Sequence, residues 1–218
     1  MKSRLYQTNA GTAMNKNVTF LVAALALSAC NSGPAQPPLS EAPLAGAAIG
    51  APFTLTDQDG RKRSYDEFKG KYRLVYFGYT NCPDICTPDM QHLMAGLTAF
   101  EKANPKLANK VQPIFITVDP ARDTPTVLKQ FVSAFHPRLI GLTGSDTEIA
   151  ATAKAFAIHF ERVEGSSPDS YLMGHSQVPY LMGPDGKPLA LLPADTPNTD
   201  ANEGDPKLVA GELAKWVR

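Results

Sequence analysis

Apolar positions along this chain follow two alternating rhythms. Short continuous or period-two apolar runs, the pattern of strands, are interleaved with stretches whose apolar residues recur every three or four positions, the pattern of helices. From Phe53 to Thr56 apolar and polar residues alternate, Asp59-Gly60 supplies a turn, and the chain returns through Arg61 to Ser64. That predicts a β-hairpin at the front edge of a domain. A short helical turn is expected over Asp66 to Phe68. Arg73 to Tyr79 predicts the first central strand, and Pro88 to about Ala103 a helix with Met90, Leu93, Met94, Leu97 and Phe100 on its apolar stripe. Val111 to Val118 predicts the next strand. Pro113 inside it lacks an N–H and points to a bulge at its start or an edge position. Thr124 as N-cap and Pro125 at the first helical position open a helix to about Phe135. A strand over Leu139–Thr143, a helix over Asp146–Ala157 and an edge strand over His159–Val163 follow, then a polar turn to Ser170. Val178–Met182 and Leu189–Leu192 pair as a hairpin around Gly183-Pro-Asp-Gly186, and a last helix runs through Leu208, Leu213, Trp216 and Val217. Alternating β and α units imply an α/β fold, a central mixed sheet with helices on both faces.

The first part of the chain breaks this pattern. Lys16 precedes an uncharged apolar run, Val18 to Leu27, that is too short to span a bilayer and ends in small residues, as a secretory signal does. Leu27-Ser-Ala-Cys30 resembles a bacterial lipobox, in which Cys30 is lipidated and becomes the first residue; Met14 is then the natural start. Residues 1–30 are thus expected to be a signal peptide. Residues 31–48, with Pro34, Pro37, Pro38 and Pro43, are expected to form a tether, and 49–218 the folded domain. The expected location is the periplasm, on a lipid anchor, with Asn31 after the cysteine favouring the outer membrane. Lys plus Arg and Asp plus Glu each number 21 of 218 residues, with no basic block, which argues against nucleic acid as a partner.

With Cys30 assigned to lipid, Cys82 and Cys86 remain, in a compartment where disulfides persist. They lie in Tyr76-Phe-Gly-Tyr-Thr-Asn-Cys82-Pro-Asp-Ile-Cys86-Thr-Pro88, directly after the first central strand. Thr87 suits an N-cap, Pro88 the first helical position and Asp89 the first turn, so both thiols are expected in a turn just ahead of a helix N-terminus. There the helix dipole favours thiolates. Two such sulfurs can close a disulfide or hold a soft metal ion. A purely structural bridge is the weak option, because so small a loop removes little chain entropy. Of the histidines, His92 is expected to face away from the thiols, His136 to complement a helix C-terminus and His159 to lie on a strand surface. Met90 and Met94 read as core filler, and Met173 as a residue beside His175.

Three blocks together resemble the Sco/SenC family of thioredoxin-fold copper proteins: Phe77-Gly-Tyr-Thr-Asn-Cys82-Pro-Asp-Ile-Cys86, Val118-Asp119-Pro-Ala-Arg122-Asp123-Thr-Pro125 and His175-Ser-Gln-Val-Pro-Tyr180-Leu-Met-Gly-Pro-Asp-Gly186. The predicted element order is also that of thioredoxin. The resemblance implies a membrane-anchored copper chaperone whose metal ligands are Cys82, Cys86 and His175, one copper per chain, as Cu(I) or Cu(II). It implies delivery to a cuproprotein such as the binuclear copper site of a respiratory oxidase, by a monomer. The alternative is a thiol–disulfide oxidoreductase acting on the acceptor's cysteines, in which Cys82 attacks, Cys86 resolves, and the two form a disulfide when oxidised and metal-free. Two departures stand out. The family usually has Asp before the histidine; here Gly174 removes a carboxylate that could orient the imidazole, which implies a lower affinity or a changed oxidation-state preference. Pro179 occupies the position of thioredoxin's cis-proline and is expected to be cis, which would tilt the protein toward exchange. Arg122-Asp123 reads as scaffolding beside the site.

Overall fold

The computed structural model describes residues 36–165, 170–195 and 204–218. The expected signal peptide and Cys30 lie outside the described residues.

Strand β3 (Tyr72–Gly78) is buried along its whole length, and its side chains part by period two. Leu74 and Tyr76 enter one core, Val75 and Phe77 the other. Strand β4 (Val111–Thr117) divides in the same way, with Phe115 on the first side and Ile114 and Ile116 on the second. An apolar strand with both faces covered is what continuous hydrophobic runs encode. Around this pair, β1 (Thr54–Asp57), β2 (Lys62–Ser64), β5 (Ile140–Thr143), β8 (Tyr180–Met182) and β9 (Pro188–Leu191) complete a seven-stranded sheet in the order β2-β1-β5-β4-β3-β8-β9. β3, β4 and β5 are parallel and the flanking hairpins antiparallel, so the sheet is mixed, as expected.

Helices α1 (Cys86–Ala103), α2 (Pro125–Ser133) and α4 (Pro206–Trp216) supply Met90, Leu93, Leu97, Leu128, Val132, Val209, Leu213 and Trp216 to the first core. Helix α3 (Asp146–Ala155) covers the other face through Ile149 and Ala153, beside Phe53, Phe68 and Phe156. Helix starts follow their caps: Thr124 accepts from the Val127 N–H, and Ser145 with Glu148 forms a full capping box. Two short strands, β6 (Phe160–Val163) and β7 (Leu172–His175), pair as a separate antiparallel ribbon. β6 was expected as an edge strand; β7, which carries His175, had no signal of its own.

Three expectations need correction. Pro113 sits without a bulge in β4, which is central rather than an edge. Pairing of β4 with β5 begins only at Ile114, so the proline lies beyond the end of that ladder. The residues expected to form the later part of a tether are docked from Gln36 onward. Ala42 is buried in the first core, Leu44 N–H donates to the Leu189 carbonyl at 2.9 Å, and Arg218 donates to the Pro37 carbonyl at 2.7 Å. The segment winds through a short 3-10 helix at Leu39–Glu41 and a turn after it, and its small and apolar side chains find apolar surface to cover. Pro179, finally, is trans, there being no cis peptide bond among the described residues; its carbonyl accepts the Leu192 N–H at 2.8 Å at the mouth of the β8–β9 hairpin.

Candidate metal and thiol site

The end of β3 and the start of α1 place the two sulfurs. Gly78 closes the strand, and a Cβ there would lie 3.1 Å from Cys86 Sγ, so the glycine lets the buried thiol sit close over the strand end. The helix starts at Cys86, two residues earlier than Thr87 and Pro88 predict. Pro88 is tolerated because the first turn's N–H groups have no intrahelical acceptor, and the carbonyl its ring would strike belongs to Asp84, outside the helix. No side chain caps the start in the usual way. Instead, the Cys86 N–H points at Cys82 Sγ, 3.4 Å away.

This arrangement separates the two thiols chemically. Cys82, half-buried, is held down to about 3 by the hydrogen bond it accepts from the Cys86 thiol, then by His175 and the backbone N–H groups of Cys86 and Ile85, against the opposing effect of burial. Cys86 is pushed well above the ordinary thiol range because it is the donor in that bond and is fully buried. The expectation of two ready thiolates is therefore half met: one thiolate lies over one retained thiol.

Strand β7 brings in the third group. His175 Nε2 lies 3.2 Å from Cys86 Sγ although 89 positions separate the residues. Ligand atoms of Cys82, Cys86 and His175 all fall within 4.8 Å of one another, and they form the sole such cluster among the described residues. His175 Nδ1 lies 3.1 Å from the Ser176 carbonyl, which can only accept, so Nδ1 carries a proton and Nε2 is the nitrogen turned to the sulfurs, the one free to bind a metal once it has no proton. Tyr76 and Tyr79 meet the imidazole edge-on, with ring centroids 6.4 and 6.0 Å away. A backbone carbonyl and two tyrosines thus do the orienting expected of a carboxylate at position 174. The register pairs Glu161 with Gly174 and Phe160 with His175, so side chains at 174 and 175 leave opposite faces of the ribbon. A Cβ on Gly174 would meet Glu161 and Val163 at 3.6 and 3.8 Å, away from the sulfurs.

Below the site, Asp89 is buried and accepts the Tyr76 hydroxyl at 2.6 Å, and burial holds its carboxyl above the usual range. Asp123 is fully buried: Oδ1 accepts the Thr80 hydroxyl at 2.6 Å, and Oδ2 accepts the Thr80 N–H at 3.0 Å and the Thr117 hydroxyl at 2.6 Å. It ties the thiol loop to β4 and is scaffolding, though through hydroxyls and a backbone amide rather than through an ion pair. The other histidines lie elsewhere. His92 pairs with Asp195 at 3.3 Å, His159 is exposed, and His136 is buried, with its Nδ1 accepting from the Arg138 N–H. Met90 and Met94 are core residues, as expected, and Met173 shares the His175 face of the ribbon.

A mixed sheet between helices, with a dithiol at the N-terminus of the helix after its central strand and an imidazole folded over it, defines a thioredoxin-like protein built for soft-metal or thiol chemistry. The SCO1/SenC family model matches residues 41–207. The chain belongs to that family. Among curated relatives, the mitochondrial protein SCO2 of Saccharomyces cerevisiae is 40% identical over 141 residues, 64% of this chain and 46% of the relative. The chain spans about half the length of the mitochondrial relatives it matches. Among solved structures, that of Bradyrhizobium japonicum ScoI with copper bound is 37% identical, with a TM-score of 0.66, covering 78% of this chain and all of that one. BsSco, described as having a disulfide switch and as a member of the Sco family of cytochrome c oxidase assembly proteins, is 30% identical with a TM-score of 0.56, covering 78% of this chain and 95% of that one.

Proposed function

We propose that this protein carries one copper ion on Cys82, Cys86 and His175 and passes it to a cuproprotein, the binuclear copper site of a respiratory oxidase being the favoured recipient. The observation that carries the proposal is the meeting of two sulfurs and an imidazole nitrogen within 4.8 Å, from segments far apart in sequence. Thiolates suit Cu(I), imidazole suits either oxidation state, and three ligands leave a position open for handing the ion on. The copper-bound ScoI relative supports the choice of metal, and the assembly role of BsSco supports the recipient. Copper is cargo here. The Cys82 thiolate meets the ion first, the Cys86 proton must leave for the second sulfur to bind, and Nε2 completes the set. The domain is proposed to face the periplasm as a monomer on a lipid anchor at Cys30, with the outer membrane favoured, supported by the Leu27–Cys30 motif. No helix among the described residues is long and apolar enough to cross a membrane.

A second reading is thiol–disulfide exchange on the acceptor's cysteines. It is favoured by one observation, an accessible thiolate at Cys82 over a buried thiol at Cys86. Pro179 being trans, it receives no support from a cis-proline. Anaerobic titration of the reduced protein with Cu(I) separates the readings. His175→Ala is expected to weaken binding about tenfold or more while leaving the Cys82–Cys86 couple intact. Equal copper affinity in wild type and variant rejects the carrier.

A further inference from the structure

The ribbon that carries His175 has no strand neighbour in the main sheet, so side chains must hold it over the thiols. Phe160 and Met173 pack on the second core, and the polar contacts converge on the loop between β4 and α2. Tyr171, one residue before β7 and 7% exposed, donates its hydroxyl to Asp119 Oδ1 at 2.8 Å. Arg122 donates from Nε to Asp119 Oδ2 and from Nη1 to the Tyr171 carbonyl, the latter at 2.9 Å. Its guanidinium also stacks on the Tyr171 ring, 3.6 Å from the centroid, and Arg162 of β6 stacks on the same ring at 3.8 Å. Asp119 is buried, so the hydroxyl and the guanidinium are what satisfy its carboxylate. The residue after Arg122 is Asp123, which grips the thiol loop at Thr80. Neighbouring residues of one loop therefore hold the two segments that carry the ligand set: Asp123 the thiol loop at Thr80, Arg122 with Asp119 the start of the histidine strand.

We infer that Tyr171 is a positioning residue for copper: anchored by Asp119 and Arg122, it fixes where His175 Nε2 sits relative to the two sulfurs. This rests on the carrier reading. Tyr171 and His175 stand four residues apart at opposite ends of β7, roughly 13 Å by strand rise, so freedom at the anchored end is carried to the ligand end. Metal–ligand distances tolerate only about 0.2 Å, and small freedom there costs affinity. The sulfurs, held by a separate contact, keep the ion when the imidazole is lost.

The test is a double-mutant cycle on the full, reduced chain, with Cu(I) affinity read anaerobically by competition against a chromophoric chelator. Tyr171→Phe keeps the stacked ring and removes only the hydroxyl. It is expected to weaken binding about tenfold, the low end for residues that hold a metal ligand in place. Combined with His175→Ala it is expected to cost nothing beyond His175→Ala alone, because the tyrosine acts through the histidine. The Cu(II) form of Tyr171→Phe is expected to lose nitrogen hyperfine coupling from its electron paramagnetic resonance spectrum. Unchanged affinity in Tyr171→Phe, or a further tenfold loss in the double variant, overturns the inference, since additivity means that the hydroxyl serves the fold or the thiols. Unchanged affinity in His175→Ala removes the carrier reading and this inference with it. Should Tyr171→Phe give no folded protein, Asp119→Asn, which retains the side chain's shape, runs the same cycle with the same two outcomes.

Discussion

Asp123 is where the structure makes its most calculable demand. Its carboxylate accepts three hydrogen bonds in a fully buried setting, yet burial outweighs them and holds its carboxyl above the usual carboxylate range. Asp123→Ala strands the Thr80 N–H and the Thr80 hydroxyl, whereas the Thr117 hydroxyl still accepts the Asp119 N–H at 2.9 Å. The two orphaned, part-buried Thr80 donors and the weakened Thr117 hydroxyl together cost about 3 kcal/mol, partly offset by removal of the poorly solvated acid. Asp123→Asn can keep an oxygen at the Oδ2 position for two of the donors and turn its amide nitrogen toward the Thr80 hydroxyl, at a cost of about 1 kcal/mol. The pH dependence of the two proteins separates the contributions. A folded-state value raised above the unfolded one gives stability that is fully present below the unfolded value and lost as pH rises through the folded one. The wild type should therefore gain on Asp123→Asn as pH falls from 7 toward about 4, the ordinary carboxylate value, with titrations common to both proteins cancelling in the difference. Urea unfolding midpoints of wild type and Asp123→Asn at both pH values measure this. A gap that narrows on acidification refutes the reasoning, because it would mean that the three donors outweigh burial.

Three further outcomes follow from the same geometry. Iodoacetamide should modify Cys82 well before Cys86, at a rate nearly flat down to about pH 5, because its thiolate persists there; a tenfold fall per pH unit below 8, followed by peptide mass spectrometry, contradicts this. Gly96→Ala should destabilise by about 2 kcal/mol with copper stoichiometry unchanged, since a Cβ would lie 2.5 Å from Val209 Cβ and force α1 and α4 apart; calorimetry of the apo protein checks it. Gly174→Asp should alter Cu(I) affinity less than about threefold, because the new carboxylate leaves the ribbon face opposite His175; a tenfold gain in a competition titration restores the orienting role to that position.

The reach of the sequence depended on whether the local pattern and the tertiary contact agreed. In β3, β4 and α1 they did: burial on both faces writes itself as an unbroken apolar run, and the stripe from Met90 to Phe100 is the stripe that packs. At the start of α1 they diverged. Thr87-Pro88 is a good local start signal, but the Asp89 N–H that a Thr87 cap would serve already bonds to the Ile85 carbonyl at 3.0 Å, and the preceding Cys86 N–H is taken by Cys82 Sγ, a cap no residue-type rule for helix starts includes. β7 left no trace because Leu172-Met-Gly-His is a half-exposed ribbon outside the main sheet, with neither a clean alternation nor a buried run. The ligand triad was legible as residue types in a joint motif, whereas what aims it was not. The orienting groups are a main-chain carbonyl at Ser176 and ring edges from Tyr76 and Tyr79, and a carbonyl is present at every position of every sequence.

That division bears on how the site can release its cargo. The two sulfurs lie on or beside a helix packed over the central strand, on a loop that Asp123 ties down at Thr80, whereas the imidazole arrives on a ribbon outside the main sheet, held by the packing of Phe160 and Met173 and by the β4–α2 loop. An incoming acceptor ligand that competes for copper meets unequal resistance from the three donors. Cys86 is fully buried and Cys82 is fixed against the α1 N-terminus, so the donor with the least covalent and packing restraint is His175. Exchange that begins at the histidine leaves the ion on two thiolates, a state Cu(I) accepts, and opens a coordination position without breaking the fold. Exchange that begins at a sulfur would have to move the helix start. The expected order is therefore histidine off first, then Cys82, then Cys86. Stopped-flow transfer of Cu(I) to a chromophoric acceptor tests this order: His175→Ala should accelerate release, and a variant that slows it would place the first step at a sulfur.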